Sequence, residues 1–449
     1  MVRLILFFIN FESNHSDLIK TIKADDGYYE LSQNIINGHG FSFDDKYPYR
    51  PNSLRPPLWP YLIAMLASVG GYWLVFLIEI VIARLIPVFG FKIAEIFLGR
   101  GKAKWVGYLM IIEPYSVLLS FLLYSETSFT FFFIISIYLL SIYSKNSKLI
   151  YFIWSAIFLG LSCLIKPTIQ YFPILIPLFF IVAFWYESKK IRIIHGLIYT
   201  LTFLAIISPW LYRNYHYFGK LDMTVQPAFN LYVYLVPTVL SIDNHSSFAI
   251  ELDNFVYKRG VNVFDISLAN GDQYKKEAVP IILDHKFALA KSVLITIVTF
   301  FTHDGMLTVL QYSGIKITNI ANTPFINLIW HPILLSKTVF HYISSPAIFI
   351  IIGRIIWYIM TFLMFYGFYK YLRNEQNKKT AILFLLIIMY FALTTSINGL
   401  GVNARFRVPI LVLYFSFAVY GFYAILAFTR NYYHNKKHEK DIDSHSSVQ

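Results

Sequence analysis

WLVFLIEIVIARLIPVF, residues 73–89, holds two charged residues, Glu79 and Arg84, in an otherwise apolar run. FTFFFIISIYLLSIY (129–143) and PILVLYFSFAVYGFYAILAF (409–428) read the same way. Each approaches the roughly 20 apolar residues that cross a bilayer as a helix. Composition agrees: of 449 residues 57% are hydrophobic and 14% charged, where a soluble domain is about half apolar and one quarter charged. The sequence therefore predicts an all-α polytopic membrane protein.

Working outward along the chain, the apolar runs predict spans at 72–98, 105–124, 127–143, 149–165, 168–186, 193–212, 343–370, 380–397 and 407–428. This is a bundle of about 9–11 transmembrane helices. Four parts are expected: an N-terminal transmembrane core over 1–212 including a first outer loop at 25–71, a region at 213–342, C-terminal spans at 343–428, and a tail at 429–449. The 213–342 stretch mixes SIDNHSSF and ANGDQYKKE with amphipathic DHKFALAKSVLITIVTFF. It is too long and aromatic for a linker, so it reads as a large extracytoplasmic region carrying interfacial helices, lying on the membrane surface and partly dipping into it. The net charge of +13 does not imply nucleic acid, because Lys and Arg collect in short loops. GRGKAK (99–104), SKNSK (144–148), ESKKIR (187–192), KYLRNEQNKK (370–379) and the tail RNYYHNKKHEK (430–440) fall on one side. By the positive-inside rule that side is cytoplasmic, in a cell (inner) membrane, with the C-terminus inside. Cys163 is the single cysteine and forms no intrachain disulfide. No cleavable signal peptide is visible, and MVRLILFFIN is too short to span. Either it is a partial first helix from a misplaced start, or the usual first span is missing.

This topology brings Asp25, Asp26, Arg55, Glu126, Lys166, Arg213, Arg405 and Arg407 to span ends on the outer face. Each has a plain structural reading. Asp25 or Asp26 would cap the helix that follows, with Gly38 as its stop, and the arginines would snorkel to headgroups. Glu126 in LLYSETSF fits such a reading least, since an ionisable group at that depth is costly and marks function. Glu79, Arg84, Glu113 and Arg354 also lie in apolar runs and are expected to be structural. Carboxylates beside cations at the mouth of a bundle suit sugar transfer from a lipid phosphate. A glycosidase needs a second carboxyl group to protonate its leaving group; a phosphate leaving group needs only positive charge. One carboxylate to deprotonate an acceptor hydroxyl suffices, with Arg and Lys on the phosphate.

In order along the chain, DDGYYELSQNIINGHGFSF (25–43), LRPPLWPYLIAML, EPYSVLLSFLLYSETSF, GLSCLIKPT, SPWLYRNYHYFG and NARFRVPILVLY resemble the C-type integral-membrane glycosyltransferases. The similarity is greatest to the branch with protein mannosyltransferases and the lipid A aminoarabinose transferase. It covers roughly 25–240 and 380–428; most of 240–340 matches nothing in the family. The resemblance implies a hexosyl- or pentosyltransferase that moves a sugar from a polyprenyl-phosphate donor to a glycolipid, glycan or protein acceptor outside the membrane. It implies that Asp26, with Asp25 the alternative, activates the acceptor, and that Glu126 is a second catalytic acid. Arg55 before Pro-Pro would hold the donor phosphate, with Arg213, Lys166, Arg405 and Arg407 in supporting positions. No cofactor is implied, and a divalent metal is left open. The competing readings are a lipid-linked glycan polymerase or ligase, in which DDGYY and RPPLWP are not expected, and a transporter or flippase. A transporter would show repeats and charges near the midplane, and no internal repeat is visible.

Overall fold

The computed structural model describes residues 2–183, 189–315, 340, 345–375, 378–399 and 404–446. Parts of the expected 213–342 region, of the 398–407 loop and of the cytoplasmic segments lie outside those residues, as do the side chains of Lys189 and Lys436. Among the described residues the regular structure is all helical. Among the described residues six helices are long and apolar enough to cross a membrane: Leu58–Leu98, Glu126–Asn146, Lys190–Phe218, Ile348–Asn374, Lys378–Asn398 and Ala404–Tyr433. Lys286–Thr302 and Met306–Tyr312 form a further pair bent by 65°. Leu149–Cys163 and Pro167–Ala183 are shorter apolar helices. The chain is an all-α, multi-pass membrane protein.

Two spans differ from the sequence expectation, each for a local reason. The span expected at 72–98 starts instead at Leu58 and runs to Leu98. At 1.5 Å per residue it is about 60 Å long, more than a bilayer needs, and it bends where Gly70 and Gly71 leave helical geometry. Its first turns are helical because Trp59, Pro60, Ile63 and Ala64 pack inward. The first outer loop is correspondingly short. The 105–124 span is broken: one helix ends at Ile112, and Glu113 caps the next, Pro114–Leu119, by accepting the Ser116 N–H at 2.6 Å. Pro114 lacks the N–H that would continue the ladder, so the break falls before it. The amphipathic 286–302 segment, from the region expected to lie on the membrane surface and partly dip into it, packs against Ile348–Asn374 and Lys378–Thr395. Phe300, Phe301 and Thr296 are buried there.

One apolar core runs through the bundle. A separate core, with Tyr232, Val236, Val239, Val256 and Ala278 at its centre, is built from residues 225–289. The two long C-terminal helices cross at Gly367 and Gly421. A methyl on Gly367 would lie 1.9 Å from the Phe417 carbonyl, and one on Gly421 would lie 2.2 Å from that of Leu363. Small residues admit this close approach where lipid supplies no hydrophobic drive between helices. Two of the remaining intramembrane charges find local partners, and the third faces outward. Glu79 accepts from Ser128 Oγ at 2.5 Å, Arg354 Nε donates to Asp304 at 2.7 Å, and Arg84 is exposed on its helix.

Candidate active site

Asp25, Asp26 and Gly27 form a tight turn before the Tyr28–Ile36 helix. Gly27, in the left-handed region at φ 78°, is the N-cap residue, and no side chain caps this helix. Neither aspartate is therefore spent on capping. A β-carbon on Gly27 would sit 2.6 Å from the Phe43 ring. The glycine thus fixes both the turn and the direction of the two carboxylates.

Asp26 points to two guanidinium groups. Arg55 donates from Nε to the Asp26 carbonyl at 3.0 Å and from Nη2 to Oδ1 at 3.3 Å. Arg405 donates to Asp26 Oδ2 from Nη2 and reaches Oδ1 from Nη1 at 3.5 Å. The other edge of the same guanidinium faces Glu126, Nε at 2.6 Å and Nη2 at 3.1 Å. Lys166 Nζ donates to Glu126 Oε1 at 2.5 Å. Five groups from distant parts of the chain thus form one network of two carboxylates and three cations. Burial alone would raise the Asp26 carboxyl. Arg405 and Arg55 outweigh it and hold the group well below the usual carboxylate range. Burial acts to lower the Arg55 guanidinium, but Asp26 more than offsets that and raises it.

Arg405 has its planar edges filled. A guanidinium offers five N–H donors in a fixed fork, and here one edge serves Asp26 and the other Glu126. Its face lies 4.0 Å from the centre of the Tyr124 ring. Arg55 Nη1 and two of the three Lys166 ammonium protons make no hydrogen bond among the described residues. Asp25 is exposed and accepts from the Tyr124 hydroxyl at 2.5 Å; no cation pairs with it among the described residues.

These groups border a cavity of about 1340 Å³. Asp25, Asp26, Arg55, Lys166 and Arg405 line it; Glu126, fully buried, lies behind the cations. Arg213 and Arg407 do not line it. Arg213 Nη1 donates to the Asn52 carbonyl at 2.8 Å, and its guanidinium packs on Trp210 at 4.5 Å. Asn52 in turn accepts the Leu54 and Arg55 N–H groups, so Arg213 braces the loop that carries Arg55. Arg407 donates to the carbonyls of Phe300 and His303, both at 2.5 Å, with the Trp357 ring 3.4 Å from its centre. It fixes the bend between the 286–302 and 306–312 helices. The cavity also has walls the sequence did not reveal: Tyr115, Tyr124, Tyr312 and residues 226–269. Tyr124, beside the Ser125–Glu126 break, had a local signal; the 226–240 part of the wall fell within the resemblance but carried no residue singled out by it, and the part beyond 240 matched nothing in the family. Among the described residues no three His, Cys, Asp or Glu side chains group as they would around a metal ion.

Comparison with known proteins bears on this arrangement. Residues 54–212 match the family model for dolichyl-phosphate-mannose-protein mannosyltransferase. No curated protein matches the chain. Among solved structures it is similar to the Archaeoglobus fulgidus oligosaccharyltransferase in complex with zinc and sulfate. Identity is 15% over 93% of this chain and 48% of that one, with a TM-score of 0.47. It is also similar to ArnT from Cupriavidus metallidurans bound to undecaprenyl phosphate, at 12% identity, 92% and 76% coverage and TM-score 0.40. The chain spans about half the length of the oligosaccharyltransferase. Across residues 54–212, which carry Arg55, Glu126 and Lys166, the resemblance to the C-type integral-membrane glycosyltransferases therefore stands, through their mannosyltransferase family.

Proposed function

We propose that this protein transfers a sugar from a polyprenyl-phosphate donor to an acceptor hydroxyl, on the extracytoplasmic side of the cell membrane. The observation that carries the reading is the juxtaposition of Asp25, Asp26, Arg55, Lys166 and Arg405 on one large cavity at the end of an apolar bundle. The match over residues 54–212 to a family named for dolichyl-phosphate-mannose-protein mannosyltransferase supports it. The basic short loops support a cytoplasmic side opposite the cavity, with the C-terminus inside.

In this reading the donor phosphate lies between Arg55 Nη1 and the two Lys166 ammonium protons that make no hydrogen bond among the described residues, with its lipid along the outside of the bundle. A carboxylate takes the proton from the acceptor hydroxyl. The oxygen attacks the anomeric carbon from the face opposite the phosphate, and the carbon–oxygen bond to phosphate breaks. The electron pair leaves on the lipid phosphate, and the two cations stabilise the charge that develops. Configuration is inverted. Of the adjacent aspartates, Asp25 is the base: it is exposed to the cavity and held by a neutral hydroxyl. Asp26, held low by two guanidinium groups, is a weak proton acceptor and serves to orient them. Glu126 acts through Arg405 and Lys166 as a positioning residue.

The test is single-turnover transfer by the purified protein in lipid nanodiscs. A panel of radiolabelled undecaprenyl-phosphate hexoses and pentoses is supplied, and release of sugar to acceptor or water is measured. Turnover is expected with at least one lipid donor and with no nucleotide sugar. Efficient use of a soluble nucleotide sugar in the absence of lipid carrier would overturn the proposal.

A further inference from the structure

The wall of the cavity facing the carboxylates is built by a part of the chain outside the family match. The turn Asn230–Leu235 is π-helical, a geometry often found at functional sites. Tyr232, Val233 and Leu235 point into the small core beneath it, while Asn230 and Tyr234 line the cavity. Asn230 Nδ2 donates to Asn398 Oδ1 at 2.6 Å, joining this turn to the end of a transmembrane helix. The Phe229 and Tyr234 rings meet edge to face at 5.8 Å. Tyr234 lies within electrostatic reach of Arg55, Asp26 and Asp25, so this wall adjoins the reacting groups.

We infer that Phe229, Asn230, Tyr234 and Asn398 form a saccharide-binding subsite that holds the acceptor. The inference rests on the glycosyltransferase reading and names its acceptor class. A sugar ring presents a C–H face and an edge of hydroxyls that both donate and accept. Aromatic faces cover the first. Side-chain amides, each with donor and acceptor atoms, match the second. With the Asn230–Asn398 bond made, Asn230 Oδ1 and Asn398 Nδ2 have no other partner among the described residues. An extended polypeptide acceptor is favoured by a sheet edge, where main-chain hydrogen bonds supply the affinity. The described residues contain no strand, and Asn230 and Asn398 bring side-chain amides to this wall. The cavity also exceeds the roughly 300–1,000 Å³ of a single small-ligand site, which leaves room for donor sugar and acceptor together.

The experiment uses the full-length protein in nanodiscs preloaded with undecaprenyl phosphate. Saturation-transfer NMR and calorimetry then measure binding of a panel of methyl disaccharides and of Ser/Thr-containing peptides. At least one disaccharide is expected to bind. Asn230→Ala and Tyr234→Ala are expected to weaken it tenfold or more while leaving undecaprenyl phosphate affinity within twofold. Asn398→Ala reaches the same amide pair from outside the 225–289 core, so it reads the subsite even where the Tyr234 variant unfolds. Peptide binding without saccharide binding, or unchanged saccharide affinity in a folded Asn398→Ala protein, would overturn the inference and leave the donor reading intact. Failure of the native protein to bind undecaprenyl phosphate would strike the donor reading, and the acceptor wall with it.

Discussion

Asp25 and Asp26 are one peptide bond apart and meet different surroundings. Asp25→Asn keeps size and polarity but accepts no proton, so transfer is expected to slow by about 10²–10⁴-fold, with undecaprenyl phosphate binding retained. Asp26→Asn removes the partner of two guanidinium groups. It is expected to cost about 1.5–3 kcal/mol of stability, the range for hydrogen bonds to charged groups, and to be read by thermal unfolding. Equal loss of rate in both variants with no stability difference would contradict this division. The pH dependence has a defined sign. Asp26 is depressed in the folded protein, so its contribution to stability is complete above the unfolded value of about 3.9 and is lost as pH falls below it. Asp26 stays ionised between pH 5 and 8, so Asp26→Asn is expected to leave the shape of the rate profile in that interval unchanged.

Arg405 and Lys166 separate in the same way. Lysine is a point charge that cannot bridge two carboxylates through a planar fork. Arg405→Lys is therefore expected to lower kcat while changing undecaprenyl phosphate affinity less than twofold. Lys166→Met is expected to weaken that affinity by about 1.5–3 kcal/mol, measured by calorimetry. A large affinity loss in Arg405→Lys with kcat preserved would place the phosphate on Arg405 instead.

Among the helices, the turn before Tyr28–Ile36 and the crossing of the last long helices are the positions with least tolerance. Gly27→Ala puts a side chain at φ 78° and against Phe43. The left-handed conformation alone costs about 1–2 kcal/mol, and the ring contact adds to it. The expected outcome is a lowered unfolding temperature together with loss of transfer, because the turn carries both aspartates. At the crossing, Gly367→Leu meets the Phe417 backbone, which cannot move aside as a side chain does. That variant is expected to be poorly folded in detergent, judged by size-exclusion and thermal unfolding. A well-folded Gly367→Leu protein would show that the helices separate there.

For the assembled bundle the outstanding question is sidedness. In a Cys163→Ser background, a single cysteine at Lys258 is expected to react with an impermeant maleimide in intact cells. One at Lys148 is expected to react only after permeabilisation. The reverse pattern would put the cavity in the cytoplasm and remove the donor reading.

The apolar runs determined the membrane class and most of the long helices, because burying a backbone in lipid permits little else and the signal is local. The same is true of the helix after DDG and its stop near Gly38. Sequence also brought Asp25, Asp26, Arg55, Lys166 and Arg405 to one face, through the alternation of spans. What it left open was which side chain touches which. Two neighbouring aspartates carry the same local signal, yet one meets a tyrosine and the other two arginines from positions 29 and 379 residues away in the chain. Arg407 and Arg405 are likewise two residues apart, and only the packing of the 286–302 helix turns one to a pair of carbonyls and the other to the carboxylates. The 226–269 wall and the bent 286–312 segment were decided by tertiary structure alone. Contacts such as Asn230 with Asn398 and Arg407 with the Phe300 carbonyl join them to distant parts of the chain, and nothing periodic along the chain records such contacts.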